Sequence, residues 1–148
     1  MFKTIVVGTD GSETAEKAVL KAFELAKPLG ASLHVVTAFQ PVSQDRFARE
    51  TADLPADMSW MVSPRTAVDA ILAEVELLAT EHKIEIETYA RQGDPADAIL
   101  DVAEERDADL VIVGNKGMTG AKRFLLGSVP NKVSHHAPCS VLIIRTSE

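Results

Sequence analysis

Five short apolar runs, each parted from the next by a longer stretch of helical period, confine this chain of 148 residues to one class of fold. The runs occupy residues 4–7, 33–36, 84–89, 110–113 and 141–144. Four are continuous or nearly so, the pattern of strands covered by helices on both faces. The third alternates Ile84 and Ile86 with Glu85 and Glu87, which predicts an edge strand with one wet face. Between the runs, Ala15, Ala18, Val19, Ala22 and Ala26 recur on one helical face. Val68, Ile71, Leu72, Val75, Leu78 and Ala79 form a second such face, and Ala96, Ile99, Leu100 and Ala103 a third. Helix starts are marked by Ser12, by Ser63-Pro64, by Asp94-Pro95 and by Ser128 with Pro130 just behind it. Gly30 is placed to stop the first helix. The order β-α-β-α-β-α-β-α-β requires parallel strands joined by crossovers, so the expected fold is a single α/β domain over 1–148, an open doubly wound sheet with helices on both faces.

Composition narrows the partners. Apolar residues make up 46% and charged residues 25%, as in an ordinary globular domain. A formal charge of −7 speaks against a nucleic-acid partner, because no net positive field draws in a polyanion. A small anion feels only nearby charge, and Lys116, Lys122 and Arg123 supply a local positive cluster. No apolar stretch approaches the ~20 residues that span a bilayer, so no membrane partner is expected. The apolar run ending at Gly8 is too short for the core of a signal peptide. Cys139 is the only cysteine; no internal disulfide can form, and a cytoplasmic location is expected. Residues 40–62, with Pro41, Pro55 and Trp60, form the one long connection without clear period.

Two segments bear chemistry. Gly8-Thr9-Asp10-Gly11-Ser12 joins the first strand to the first helix. Its plain reading is a tight turn with Ser12 as cap, but Asp10 places a carboxylate at a strand's carboxyl end, where open α/β sheets bind ligands. The second segment follows the fourth strand. Gly114, Gly117 and Gly127 leave its backbone bare for phosphate oxygens, and Ser128 opens a helix whose N–H groups and dipole favour an anion. Three known phosphate sites fail here. Thr119 occupies the position of the second P-loop glycine, G-x-G-x-x-G is absent after the first strand, and no aspartate ends the third as a phospho-acceptor receiver would need.

Gly114-x2-Gly117-x9-Gly127-Ser128 matches the nucleotide-binding signature G-x2-G-x9-G-[S/T], and the chain resembles the universal stress protein family over almost its whole length. Residues 5–12 look like that family's first strand and turn; 126–129 and 137–142 look like its closing helix and strand. The resemblance implies a five-stranded parallel sheet of order 3-2-1-4-5 and a homodimer paired through the C-terminal strand. In the ATP-binding branch it implies that Gly8, Thr9 and Ala38 line the adenosine pocket, with Asp10 by the ribose. Backbone around Val113, Gly114, Lys116, Gly117 and Met118 would wrap ribose and phosphates, and Gly127, Ser128 and Val129 would hold the phosphate end. Thr37 stands where many members carry histidine.

The expected function is therefore binding of an adenine nucleotide, ATP in the first reading, by a stress-response regulator or adaptor whose downstream partner the sequence does not identify. Magnesium would arrive on the phosphates, since no His, Cys or Asp spacing suggests a protein metal site. Asp10 suits ribose better than a base for water attack, so ATP turnover, if any, would be slow. Competing readings are a true ATPase or phosphotransferase, an interaction module with an empty site, and a cAMP sink. Cys139 reads as a packed thiol, and His135-His136 as the end of the last helix. The apolar run 141–144 would be an exposed edge unless paired; proline at Leu142 would weaken that pairing if its N–H faces the partner.

Overall fold

The computed structural model describes residues 1–40, 64–115 and 127–146. Lys116, Gly117, Met118, Lys122 and Arg123, the cap position Ser63 and almost all of the 40–62 connection, Trp60 included, lie outside the described residues. In chain order the elements are β1 (Thr4–Gly8), α1 (Glu13–Leu29), β2 (Ser32–Phe39), α2 (Pro64–Glu81), β3 (Ile86–Gln92), α3 (Pro95–Glu105), β4 (Leu110–Gly114), α4 (Ser128–His136) and β5 (Ser140–Ile144). The strands form one parallel sheet of order β3-β2-β1-β4-β5. The order makes β1 and β4 neighbours, with Val6 opposite Val111 and Val7 opposite Ile112. Asp109 holds the start of β1 in this register by accepting the N–H groups of Lys3 and Thr4 at 2.8 and 3.0 Å.

Alternation along the strands builds two cores. Ile5, Val7, Leu33, Val35, Leu110 and Ile112 pack with Val19, Ala22, Phe23 and Ala26 of α1 and with Val75 and Ala79 of α2. Val6, Val36, Val111 and Val113 point the other way, onto Ala96, Ile99, Val102 and Ala103 of α3 and Val133 of α4. Both faces of the central strands are thus dry, which is why their runs are continuous rather than alternating. Among the described residues, no helix is long and apolar enough to cross a membrane.

β3 lies at the edge, as its alternation predicts, but it starts at Ile86 rather than Ile84. The Ile84 N–H donates to Ala79 C=O at 2.9 Å and the Lys83 N–H to Thr80 C=O at 3.1 Å, with Lys83 left-handed at φ 55°. Ile84 therefore closes α2 in a Schellman turn and has no donor left for the ladder. Gly30 ends α1 the same way at φ 65°, and Asp107 follows α3 at φ 50°.

His34 on β2 is 5% exposed. The Tyr89 hydroxyl donates to Glu87 at 2.8 Å, so its oxygen accepts from His34 Nδ1 at 2.9 Å and the neutral imidazole carries its proton there. Burial lowers the His34 pKa, with Arg106 adding to the effect and Glu87 opposing it. For a base with a lowered folded pKa, the unfolded chain binds the proton first. Stability should therefore be full above the ordinary value of about 6.5 and fall as pH drops below it. Urea unfolding between pH 5 and 8 should show this acid loss in the wild type, and a shallower one in His34→Gln. Parallel profiles would contradict the account.

Candidate functional site

The turn after β1 is held by its own side chains. The Thr9 N–H donates to Val36 C=O at 2.9 Å, tying the end of β1 to β2. Thr9 Oγ1 accepts the Gly11 N–H at 3.1 Å, and Asp10 Oδ1 accepts the Ser12 N–H at 2.9 Å. Gly11 sits at φ +83°, which only glycine adopts without strain, and Ser12 caps α1 by accepting the Ala15 N–H. Asp10 is exposed, and its Oδ2 has no hydrogen-bond partner among the described residues. One oxygen fixes the carboxylate, and the other is able to accept a hydrogen bond.

The second segment differs from expectation at its cap. Gly127, not Ser128, is the N-cap of α4, with φ −64° and ψ 167°, and no side chain bonds the first turn. Ser128 is the first helical residue and is exposed. The Asn131 N–H is taken by Gly127 C=O at 3.1 Å, and Pro130 has no N–H. Among the described residues the N–H groups of Ser128 and Val129 thus have no acceptor, the setting that attracts anions. The Gly127 N–H is already committed to Asn115 C=O at 3.0 Å.

These parts meet in one crevice of about 310 Å³ at the carboxyl ends of the strands. Gly8, Thr9 and Asp10 line it from the end of β1 and its turn, Val113 and Gly114 from β4, Ser128 and Val129 from α4, and Ala38 from β2. Gly127 is buried and does not line it; Lys116, Gly117 and Met118 fall outside the described residues. Four walls were not identified from the sequence: Val36, Ala15 of α1, Pro130 of α4, and the pair Pro95 and Ile99 of α3. The Asp94-Pro95 helix start was legible, and Asp94 does cap α3 by accepting the Asp97 N–H. That α3 begins beside the crevice depends on β1 lying between β2 and β4. Thr37, one residue from Ala38, belongs to the opposite face by alternation, and its hydroxyl is buried without a partner among the described residues.

The crevice is apolar between two polar ends. Val36, Ala38, Ile99 and Val129 suit a flat ring, Asp10 suits sugar hydroxyls, and the α4 amino end suits phosphate. A larger hollow of about 500 Å³ lies at the amino ends of β2 and β3, beside Gly30 and Lys83. The helices α1 and α2 end there, so their dipoles present negative charge and disfavour an anion. Cys139 is half-buried, and burial followed by Asp109 pushes its thiol pKa up, against a role as nucleophile.

The universal stress protein family model matches residues 1–145. A universal stress protein of Mycobacterium tuberculosis is 37% identical over 147 residues, covering 99% of this chain and 98% of its own. Another, from Methanocaldococcus jannaschii, is 34% identical over 148 residues, covering 98% of this chain and 83% of its own. Among solved structures, a universal stress protein in complex with cAMP superposes with a TM-score of 0.73 at 37% identity, over 99% of both chains. The chain belongs to the universal stress protein family.

Proposed function

We propose that the crevice binds an adenine nucleotide, with ATP as the first reading, and that the protein acts as a nucleotide-dependent regulator or adaptor. The observation that carries this is the union, in one crevice, of the Asp10 carboxylate, an apolar slot and the uncapped amino end of α4. The solved relative that holds cAMP at 37% identity supports a nucleotide and favours one second reading, a cAMP-binding protein. Among the described residues no group of three or more His, Cys, Asp or Glu is placed to hold a metal, so Mg²⁺ would come with the triphosphate. Among the same residues Asp10 is the one crevice carboxylate, and its fixed oxygen already accepts Ser12. Hydrolysis should therefore stay below ~1 per second.

Calorimetric titration with Mg-ATP, AMP and cAMP, followed by competition, tests the reading. A ligand at about 100 times its dissociation constant should stabilise the fold by ~2.7 kcal/mol and raise the melting temperature. No shift with any of the three would sink the nucleotide reading. Tighter binding of cAMP than ATP would replace the first reading with the second.

We further propose a homodimer through β5 and a cytoplasmic location. Leu142 is 39% exposed on this edge strand. The Asn115 N–H donates to Ile144 C=O, so Ile144 and, two residues back, Leu142 turn their backbone groups toward β4. A proline at Leu142 would therefore break the β4 ladder rather than the dimer. Val141 and Ile143 offer the outward N–H groups, and Ile143→Pro is the appropriate probe. Light scattering at micromolar concentration should show a dimer for the wild type and a monomer for Ile143→Pro. A monomeric wild type would dismiss the proposal.

A further inference from the structure

Asn115, the residue after β4, fastens three separate parts of the chain. Its N–H donates to Ile144 C=O at 2.9 Å, extending the β4–β5 ladder one step beyond Gly114. Its C=O accepts the Gly127 N–H at 3.0 Å, which sets the spacing between the end of β4 and the start of α4. Its side-chain Oδ1 accepts twice from Thr146, from the backbone N–H at 2.9 Å and from the hydroxyl at 3.1 Å. Thr146 is only 3% exposed although it lies beyond β5, and its C=O accepts Lys17 Nζ of α1 at 3.2 Å. Neither Asn115 nor Thr146 lines the crevice.

This geometry has a consequence for the site. The N–H groups of Ser128 and Val129 serve a ligand only if they stand at the right distance from Asp10 and Gly114. Among the described residues, the backbone bond that ties them to the end of β4 runs from the Gly127 N–H to the Asn115 carbonyl. The orientation of that carbonyl follows the Asn115 backbone, whose side chain is locked by two bonds to a buried partner. We propose that Asn115 and Thr146 are positioning residues for nucleotide binding, holding the amino end of α4 in register with the β1 turn without touching the ligand. The proposal rests on the nucleotide reading of the crevice and adds residues that the glycine signature does not include.

The test uses the full chain and three single variants, Asn115→Ala, Thr146→Val and Thr146→Ser, with the double variant Asn115→Ala/Thr146→Val. Dissociation constants for Mg-ATP and cAMP are measured at a temperature where melting curves show each protein folded. Asn115→Ala should weaken whichever nucleotide the wild type binds by about 10- to 100-fold, and Thr146→Val by about 3- to 10-fold. Thr146→Ser keeps both donors and should stay within about twofold of wild type. In the double variant the valine should add nothing, because its partner is already gone. A readout without ligand accompanies these. Amide exchange at Gly127 should speed up in Asn115→Ala, even though the carbonyl it donates to is still present. Should Asn115→Ala fail to fold, Thr146→Val, which removes a single hydroxyl, carries the comparison. Wild-type affinity in the folded variants, or unchanged exchange at Gly127, overturns the positioning role alone. A wild type that binds neither nucleotide overturns the nucleotide reading and the positioning role with it.

Discussion

Ala38→Phe should leave the fold intact and remove nucleotide binding, with affinity for ATP or cAMP down by at least about 100-fold, or ~2.7 kcal/mol. Ala38 sits near the end of β2, opposite Arg91 of β3, and lines the crevice from the β2 side. A benzyl group there projects into a space of about 310 Å³ that a nucleoside would otherwise fill. Phenylalanine is a good strand former and the residue is not in the fully buried core, so sheet pairing has little reason to change. The melting temperature without ligand should stay within a few degrees of wild type, and the rise on adding Mg-ATP should vanish. A full ligand-induced rise in this variant would mean that the nucleotide does not lie between β2 and the start of α3.

Gly8→Ala should destabilise the free protein by about 1–3 kcal/mol through overpacking. Gly8 is the last residue of β1, and no left-handed backbone is involved. The reason is space. A Cβ on Gly8 would lie 2.9 Å from Ile99 Cγ1 and closer still to Cδ1. Ile99 is 4% exposed and packed among Val6, Val36 and Val113, so making room takes a rotamer change toward the crevice it borders. For a domain of this size the loss corresponds to a fall in melting temperature of about 3–10 °C. Ile99→Val removes the nearer methyl, and the double variant Gly8→Ala/Ile99→Val should recover part of the loss, with a coupling of about 0.5–3 kcal/mol. Strictly additive effects would show that the two residues do not share this contact. The methyl of Gly8→Ala also borders the crevice, so nucleotide affinity should fall along with stability.

The two glycines of the first turn show where the sequence stops speaking. Both read as turn glycines. Gly11 is one, at φ +83°, whereas Gly8 is a strand residue kept bare because a helix packs against it from more than ninety positions away in the chain. The same division runs through the helix ends. Gly30 was legible as a stop because glycine enters the left-handed region at no steric cost. Lys83 and Asp107 adopt the same conformation without a compositional signal, because burial of Ile84 and Ala108 behind them makes the turn worthwhile. At α4 the serine that looked like a cap is displaced by one residue, since Gly127 is the extended residue whose C=O accepts the first helical bond, from the Asn131 N–H.

By itself the sequence determined the alternation of strands and helices, the edge character of β3, and the two loops that bear Asp10 and the glycine signature. Those features are local: hydrophobic period, cap chemistry and glycine spacing act over a few residues, so they can be read along the chain. Only the tertiary structure decided the crevice walls from α3, the placing of the Ser128 and Val129 N–H groups beside the crevice, the direction of the β5 backbone and the anchoring of Asn115 by Thr146. Each of these depends on residues far apart in sequence that meet because β1 lies between β2 and β4, and no local pattern records which side chain will stand opposite which.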